Sequence, residues 1–244
     1  MATIYSKSDD GWIYHTSNNW NTAHDAATGT TAKSDDDRVD PAISAQSTPA
    51  GRSTNYYIRR TFLNFDTSGI SVAPSAATLN IYGYTTGIMG TTLGDIIAIE
   101  GTWTGASSLS TGDFDSFTGY QAGWDSGDVT AYSSELTSWS TSGYNSITLN
   151  ATALAKMASA SVLSIVLMNH DFDYQDTSPF VGGKTHNYEV NGIYFANATG
   201  TANDPKIEYT PGGYGHDVIG VDSGDIDTVI GVETGDIYTV IGVD

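Results

Sequence analysis

The chain has 244 residues, with 28 acidic against 9 basic side chains and a formal net charge of −19. An acidic surface of this kind repels a phosphate backbone, which sets nucleic acid aside as a partner. The absence of cysteine excludes disulfides and thiolate metal sites, and no apolar run is long enough for membrane insertion. Only 15% of the residues are charged, and Gly, Ser, Thr, Asn and Asp are abundant. That composition fits many short strands joined by polar turns better than it fits helices. The first ten residues carry no apolar signal core, as in a virion protein assembled inside its host or a mature secreted chain.

In chain order, residues 3–5 and 11–15 read as short strands. Residues 18–40 read as a long polar loop containing Asp35, Asp36 and Asp37. Pro41 and Pro49 are expected to keep the next segment irregular. The strongest strand signal follows at 56–66, Tyr-Tyr-Ile-Arg-Arg-Thr-Phe-Leu-Asn-Phe-Asp. Its two faces, Tyr57, Arg59, Thr61, Leu63 and Phe65 against Tyr56, Ile58, Arg60, Phe62 and Asn64, both hold large apolar groups. A central strand covered on both sides is therefore expected.

Residues 77–84 alternate, with Leu79 and Ile81 on one face and Asn80 and Tyr82 on the other. A turn at 87–90 and a buried strand at 95–101 come next. A long loop region spans 103–127, then a strand at 145–149. Asn150 resembles an N-cap before Ala, Leu, Lys and Met in helical proportions at 151–158, the one short α-helix expected. Residues 162–168, Val-Leu-Ser-Ile-Val-Leu-Met, are a second continuously apolar strand. A polar loop at 169–183 and strands at 188–197 and 205–210 complete the body.

Residues 211–217 read as a Gly-rich linker. Beyond it, the phrase Val-Ile-Gly-Val recurs with starts at 218, 229 and 240, a spacing of 11 each time, so residues 218–244 are an internal repeat. Two units and a stub are too few for a free-standing solenoid. Each run is short, apolar and β-prone between acidic turns, and should seek a sheet edge. Val218, Ile219, Val221, Val229, Ile230, Val232, Val240, Ile241 and Val243 are the candidate assembly residues. The Gly-Asp pairs at 224–225 and 235–236 are expected to reverse or kink the chain.

The ordered phrases Asp10-Gly-Trp-Ile-Tyr14, Tyr56 through Ser68, Ala76 through Gly83, Thr111-Gly-Asp-Phe-Asp115, Ser142 through Thr152 and Asp204-Pro-Lys-Ile-Glu-Tyr209 carry a resemblance. Over about Ala2 to Thr210 the chain resembles the jelly-roll β-sandwich module of phage and environmental surface proteins, akin in pattern to the DNRLRE and carbohydrate-binding-module sandwiches. The resemblance implies a jelly roll over 1–210 and an accessory or structural role, not a reaction. The tail is similar to Val-Asn-Gly-Val repeats of phage structural proteins, with Ile219 and Ile230 where Asn would stand.

Chemistry is thinly signalled. The five histidines include no His-x-x-x-His or His-x-His pair, and no Gly-x-Ser-x-Gly elbow or phosphate loop occurs. His170-Asp171 would orient an imidazole but lacks a nucleophile. Asp35 and Asp37, and Asp171, Asp173 and Asp176, are candidate oxygen ligands for Ca²⁺, although EF-hand spacing is absent. Trp103 and Trp124, in long loops, are candidates for stacking on sugar rings. Asn150 and Asn197 head Asn-x-Thr sequons, and Asn150 has a competing task as helix cap.

The sequence thus predicts an all-β jelly-roll sandwich with one short helix and an extended β-prone repeat tail. Its expected role is that of a non-enzymatic structural protein of a virion or extracellular fibre. Its expected partners are copies of itself, other fibre subunits and cell-surface glycans. A calcium-stabilised carbohydrate-binding adhesion module is the alternative.

Overall fold

The computed structural model describes residues 1–50, 52–89, 95–180, 187–197 and 200–213, together with the backbone of Thr228–Val229 and Val232–Glu233. In order the elements are β1 (Ala2–Tyr5), β2 (Gly11–Ser17), α1 (Trp20–His24), β3 (Thr31–Lys33), β4 (Arg38–Ala50), β5 (Ser53–Asp66), β6 (Ala76–Met89), β7 (Ile96–Glu100), β8 (Tyr144–Thr148), α2 (Ala151–Ser159), β9 (Val162–Asn169), β10 (Asn187–Tyr194), β11 (Lys206–Thr210), β12 (Thr228–Val229) and β13 (Val232–Glu233). A 3-10 turn at Thr111–Asp113 and a π-helical turn at His170–Tyr174 interrupt the connections.

Among the described residues all the strand pairs are antiparallel, and the fold is an all-β sandwich. The first sheet runs β1-β11-β6-β8, using the first half of β6. The second runs β6-β10-β4-β5-β2-β3, using the second half of β6, with β9 on β5 and β7 on β9. The sheets are thus joined through β6. At the changeover, Gly83 lies under the 140–143 segment, and a Cβ there would come within 1.9 Å of the Ser140 carbonyl oxygen. Only glycine permits this crossing.

Strict period-two alternation sorts the interior into two layers. Leu63 and Phe65 of β5 and Leu163, Ile165 and Leu167 of β9 face the first sheet, where they meet Leu79, Ile81, Ile147 and Ile207. The opposite side chains, Ile58, Phe62, Val166 and Met168, meet Ile13, Trp20, Phe114, Phe117 and Trp124. Strand β5 is therefore covered on both faces, as its sequence indicates.

The structure corrects the sequence reading in three places. The segment expected to be irregular is β4, a 13-residue strand between β5 and β10. Its prolines occupy tolerated positions: Pro41 lies where Asp40, Pro41 and Ala42 pass a single residue of β10, a bulge, and Pro49 pairs with Thr54 beyond the end of the β10 ladder. Next, β6 continues to Met89 through the expected turn at 87–90, because β10 pairs with it as far as that residue. Last, the 18–40 loop holds a second helix, α1, capped by Asn19, whose side-chain oxygen accepts from the Thr22 N–H at 3.0 Å. Helix α2 forms as the sequence predicts, with the Asn150 oxygen accepting from the Ala153 N–H at 3.1 Å.

Where β4 leaves β5, β9 takes over: Ser44 faces Arg59 and Leu167 faces Thr61. The carbonyls stranded at this fork are capped by β5 itself. Arg59 donates to the Pro41 oxygen, and the Thr61 hydroxyl donates to the Ala42 oxygen at 2.9 Å.

Candidate functional site

The outer face of the first sheet is built by the polar half of each alternating strand. Asn80, Tyr82 and Tyr84 project from β6, Tyr144 and Ser146 from β8, and Lys206 and Glu208 from β11, opposite the buried Leu79, Ile81, Ile147 and Ile207. Tyr5 of β1 is 42% exposed and pairs with Lys206. At the crossing into the second sheet, β10 adds Tyr194 and β4 adds Arg38.

These rings meet edge to face. Tyr82 lies 5.2 Å from Tyr144 and 5.5 Å from Tyr194, and Tyr84 lies 5.6 Å from Tyr194. Arg38 sits 4.4 Å over the Tyr84 ring and donates to the Tyr194 hydroxyl at 3.1 Å. That hydroxyl bond and the nearby tyrosines raise the Arg38 pKa further. Lys206 sits 4.7 Å over the Tyr144 ring.

A polar chain runs beside the rings. The Ser146 hydroxyl donates to Asn80 at 2.8 Å, Asn80 donates to Glu208 at 3.3 Å, and Lys206 donates to Glu208 at 2.7 Å. The Tyr144 hydroxyl donates to the carbonyls of Ala202 and Asp204. Burial, with the Tyr5, Asp204 and Glu208 groups around it, pushes its pKa to about 12. The face thus offers tyrosine rings and hydroxyls, a carboxylate acceptor and an ammonium donor within one ordered patch, with Asn80, 5% exposed, linking them from beneath.

Trp103 and Trp124 are not on it. They are 5% and 0% exposed, and belong to the layer covering the second sheet. The 102–131 segment is a loop by hydrogen bonding yet packs Trp103, Leu109, Phe114, Phe117, Trp124 and Val129 inward. Trp124 stacks on His24 at 4.2 Å. Sugar stacking by either tryptophan is therefore excluded in this fold. The signal overlooked is the aromatic density of that segment, which marks a packed layer and not an exposed loop.

Two of the candidate calcium ligands are also committed elsewhere. Asp173 is fully buried and paired to Arg60, while Asp176 accepts from the Trp20 indole at 2.8 Å. Asp35 points to solvent beside Lys33 at 3.6 Å, and the Asp37 carbonyl accepts from the Phe195 N–H. Asp36, between them, accepts from the Trp12 indole at 2.8 Å. Among the described residues, three metal-ligating groups converge instead at Glu135, His170 and Asp171.

The Asn150 amide nitrogen donates to the Ala131 oxygen at 2.7 Å, and that of Asn197 to the Ser34 oxygen at 2.8 Å, so both sequon nitrogens are engaged. A shallow depression of about 360 Å³ lies between Ser134–Leu136 and β8, and Glu135 is the one carboxylate in its lining, so it offers no facing acid pair.

Of the assembly candidates, Val218, Ile219, Val221, Ile230, Val240, Ile241 and Val243 lie outside the described residues. Val229 and Val232 face each other across the β12–β13 pair. The Gly-Asp pairs expected to turn the chain lie outside the described residues.

No protein-family model matches the chain, and no curated protein matches it.

Proposed function

We propose that the protein is a non-enzymatic surface module that binds neutral carbohydrate on the tyrosine face of its first sheet. The observation that carries this reading is the tyrosine row, Tyr82, Tyr84, Tyr144 and Tyr194, set against the Ser146–Asn80–Glu208–Lys206 chain. A sugar ring presents an apolar C–H face and a hydroxyl edge. Tyrosine rings match the first, and the tyrosine and Ser146 hydroxyls, which donate and accept, with the Glu208 carboxylate and the Lys206 ammonium match the second. Two-angle tyrosine side chains already held by their neighbours lose little entropy on binding. A net charge of −19 disfavours anionic ligands over neutral ones. Screening the full chain and its Tyr82→Ala variant on an array of neutral oligosaccharides tests the reading.

The tail supports a second property, assembly into a virion or extracellular fibre. Its eleven-residue period is additional to anything a solitary binding body requires. In the β12–β13 pair, Val229 and Val232 form a minimal two-strand unit that gains stability only by adding strands. The partner is another copy of the chain or a neighbouring fibre subunit.

A further inference from the structure

Strand β8 is an open edge of the first sheet: β6 lies on one side of it, and among the described residues no strand lies on the other. The Leu149 N–H donates to the Ala77 oxygen at 3.0 Å and the Gly83 N–H to the Gly143 oxygen at 3.1 Å, so the odd-numbered residues of this stretch are the ones bonded to β6. In an antiparallel ladder the intervening residues turn their amides the other way. The N–H and C=O groups of Tyr144, Ser146 and Thr148 therefore point outward, and among the described residues nothing bonds them. The strand lacks the usual guards of an edge. Tyr-Asn-Ser-Ile-Thr holds no charge and no proline, and its register to β6 runs unbroken from Tyr144 to Thr148.

The edge also has a facing wall. The 134–136 segment lies across the depression of about 360 Å³ from β8. It is held to β7, where Leu136 and Ile96 exchange backbone hydrogen bonds at 2.8 and 3.2 Å. The Leu136 side chain is only partly buried against the core. Other edges are less open. The free side of β7 is taken by the bridges from Leu136 and Ala131, and β3 is a three-residue strand ending in Lys33.

We propose that this edge accepts a Val-Ile-Gly-Val run from a second copy of the chain, which adds to β8 as a strand between it and the 134–136 segment. The inference rests on the assembly reading of the tail and gives that reading an acceptor site. The run supplies the main-chain donors and acceptors that the outward amides lack. Its alternation puts Ile and the last Val on one face, toward Leu136, and the first Val and Gly on the other. The run is uncharged, so it brings no carboxylate onto Glu135. The tail leaves the body beyond Thr210, which pairs with Ala76, while Thr148 pairs with Thr78, so it departs from the Thr148 end of the same sheet. Residues 211–244 span roughly 100 Å when extended, enough to reach a neighbouring body. One β8 edge takes one run while each tail carries three, so a chain has runs to spare for its neighbours.

The test uses the full chain, with light scattering after size-exclusion chromatography as the readout. Thr148→Pro removes an outward N–H and leaves the bonds to β6 in place, as edge prolines do. Thr3→Pro does the same on β1, the opposite edge of the sheet, where the Ser6 N–H donates to the Pro205 oxygen at 2.8 Å and the Thr3 amide turns outward. The expected result is an oligomeric wild type, a monomeric Thr148→Pro with unchanged circular dichroism, and an oligomeric Thr3→Pro. Cross-linking gives a second readout, because the chain has no cysteine of its own. Thr148→Cys chains mixed with Ile219→Cys, Ile230→Cys or Ile241→Cys chains should form a mixed disulfide under air oxidation with at least one of the three. This result decides the matter if Thr148→Pro does not fold or if both proline variants lose assembly. A monomeric wild type overturns the assembly reading itself. With an oligomeric wild type, a folded Thr148→Pro that still assembles, or the absence of any mixed disulfide, overturns the β8 site alone and leaves that reading standing.

Discussion

Arg60 and Asp173 form a closed ion pair inside the layer that covers β5: Nε donates to Oδ2 at 2.9 Å and Nη2 to Oδ1 at 2.7 Å, with both side chains fully buried. The remaining donors reach the carbonyls of Phe114 and His24 at 3.1 and 3.2 Å. The guanidinium lies 4.2 Å from the Phe114 ring centre, with Phe117 and Trp124 beyond. One side chain of the central strand therefore fastens helix α1, the 102–131 layer and the π-helical turn. Removing a single partner leaves a buried charge unpaired, at a cost of about 3–5 kcal/mol. Asp173→Asn should lower the urea midpoint accordingly, and Arg60→Met combined with Asp173→Leu should cost less than the two single changes added together. A loss under about 1 kcal/mol for Asp173→Asn would show that the pair does not hold the layer.

Trp124 is an anchor of the same layer. Trp124→Ala should destabilise by about 3–5 kcal/mol and leave carbohydrate affinity unchanged under conditions where the variant stays folded. Calorimetric binding at low temperature, read beside the melting curve, checks both. Lost binding in a folded Trp124→Ala variant would return the tryptophan to the ligand site.

Asp10 gives the fold a pH signature. It is fully buried, and Oδ2 accepts from the Ser6 hydroxyl at 2.7 Å and the Ala196 N–H at 3.1 Å. Oδ1 has no partner among the described residues. Burial pushes its pKa up to about 7 from an ordinary carboxylate value. The folded state therefore keeps a proton that the unfolded chain releases near pH 4. The resulting stabilisation is complete below about pH 4 and is lost as pH rises through about 7, with a span on the order of 4 kcal/mol. In Asp10→Asn this loss disappears, so the stability of the variant relative to wild type should climb between pH 4 and 7. Urea unfolding at pH 4.5, 6 and 8 measures it, and a flat difference would refute the assignment.

The tail prediction is separable from the body. Deleting residues 217–244 should leave a folded protein with full carbohydrate affinity that no longer assembles. Light scattering after size-exclusion chromatography distinguishes the outcomes, and an unchanged oligomer in the truncated chain would place the interface on the body.

The legible parts of the fold were those where local pattern and tertiary burial agree. The apolar runs at β5, β7 and β9 and the Asn150-capped helix α2 carry their own signals. Strand β4 was hidden because two prolines argue locally against a strand, while a bulge and the end of a ladder, set by other segments, accommodate them. The 102–131 layer was hidden because polar turns conceal inward anchors such as Phe114 and Trp124. The tyrosine face was half visible in the Asn80-Ile81-Tyr82 alternation. Tyr144, Tyr194 and Arg38 join it from distant segments, which only sheet pairing brings together. The acidic run at Asp171, Asp173 and Asp176 misled for a related reason: spacing alone does not reveal that Arg60 and Trp20 claim two of its three carboxylates.

The central claim is carbohydrate binding by the tyrosine face, and affinity of the full chain for neutral oligosaccharides, compared across Tyr82→Ala, Tyr194→Ala and Arg38→Gln, tests it most directly. The account predicts that the wild type binds at least one oligosaccharide. Each tyrosine variant should lose about tenfold or more, the equivalent of about 1.4 kcal/mol, and Arg38→Gln a smaller factor, all with unchanged circular dichroism. A wild-type protein that binds none of them, or folded Tyr82→Ala and Tyr194→Ala proteins that bind as tightly as wild type, would contradict it.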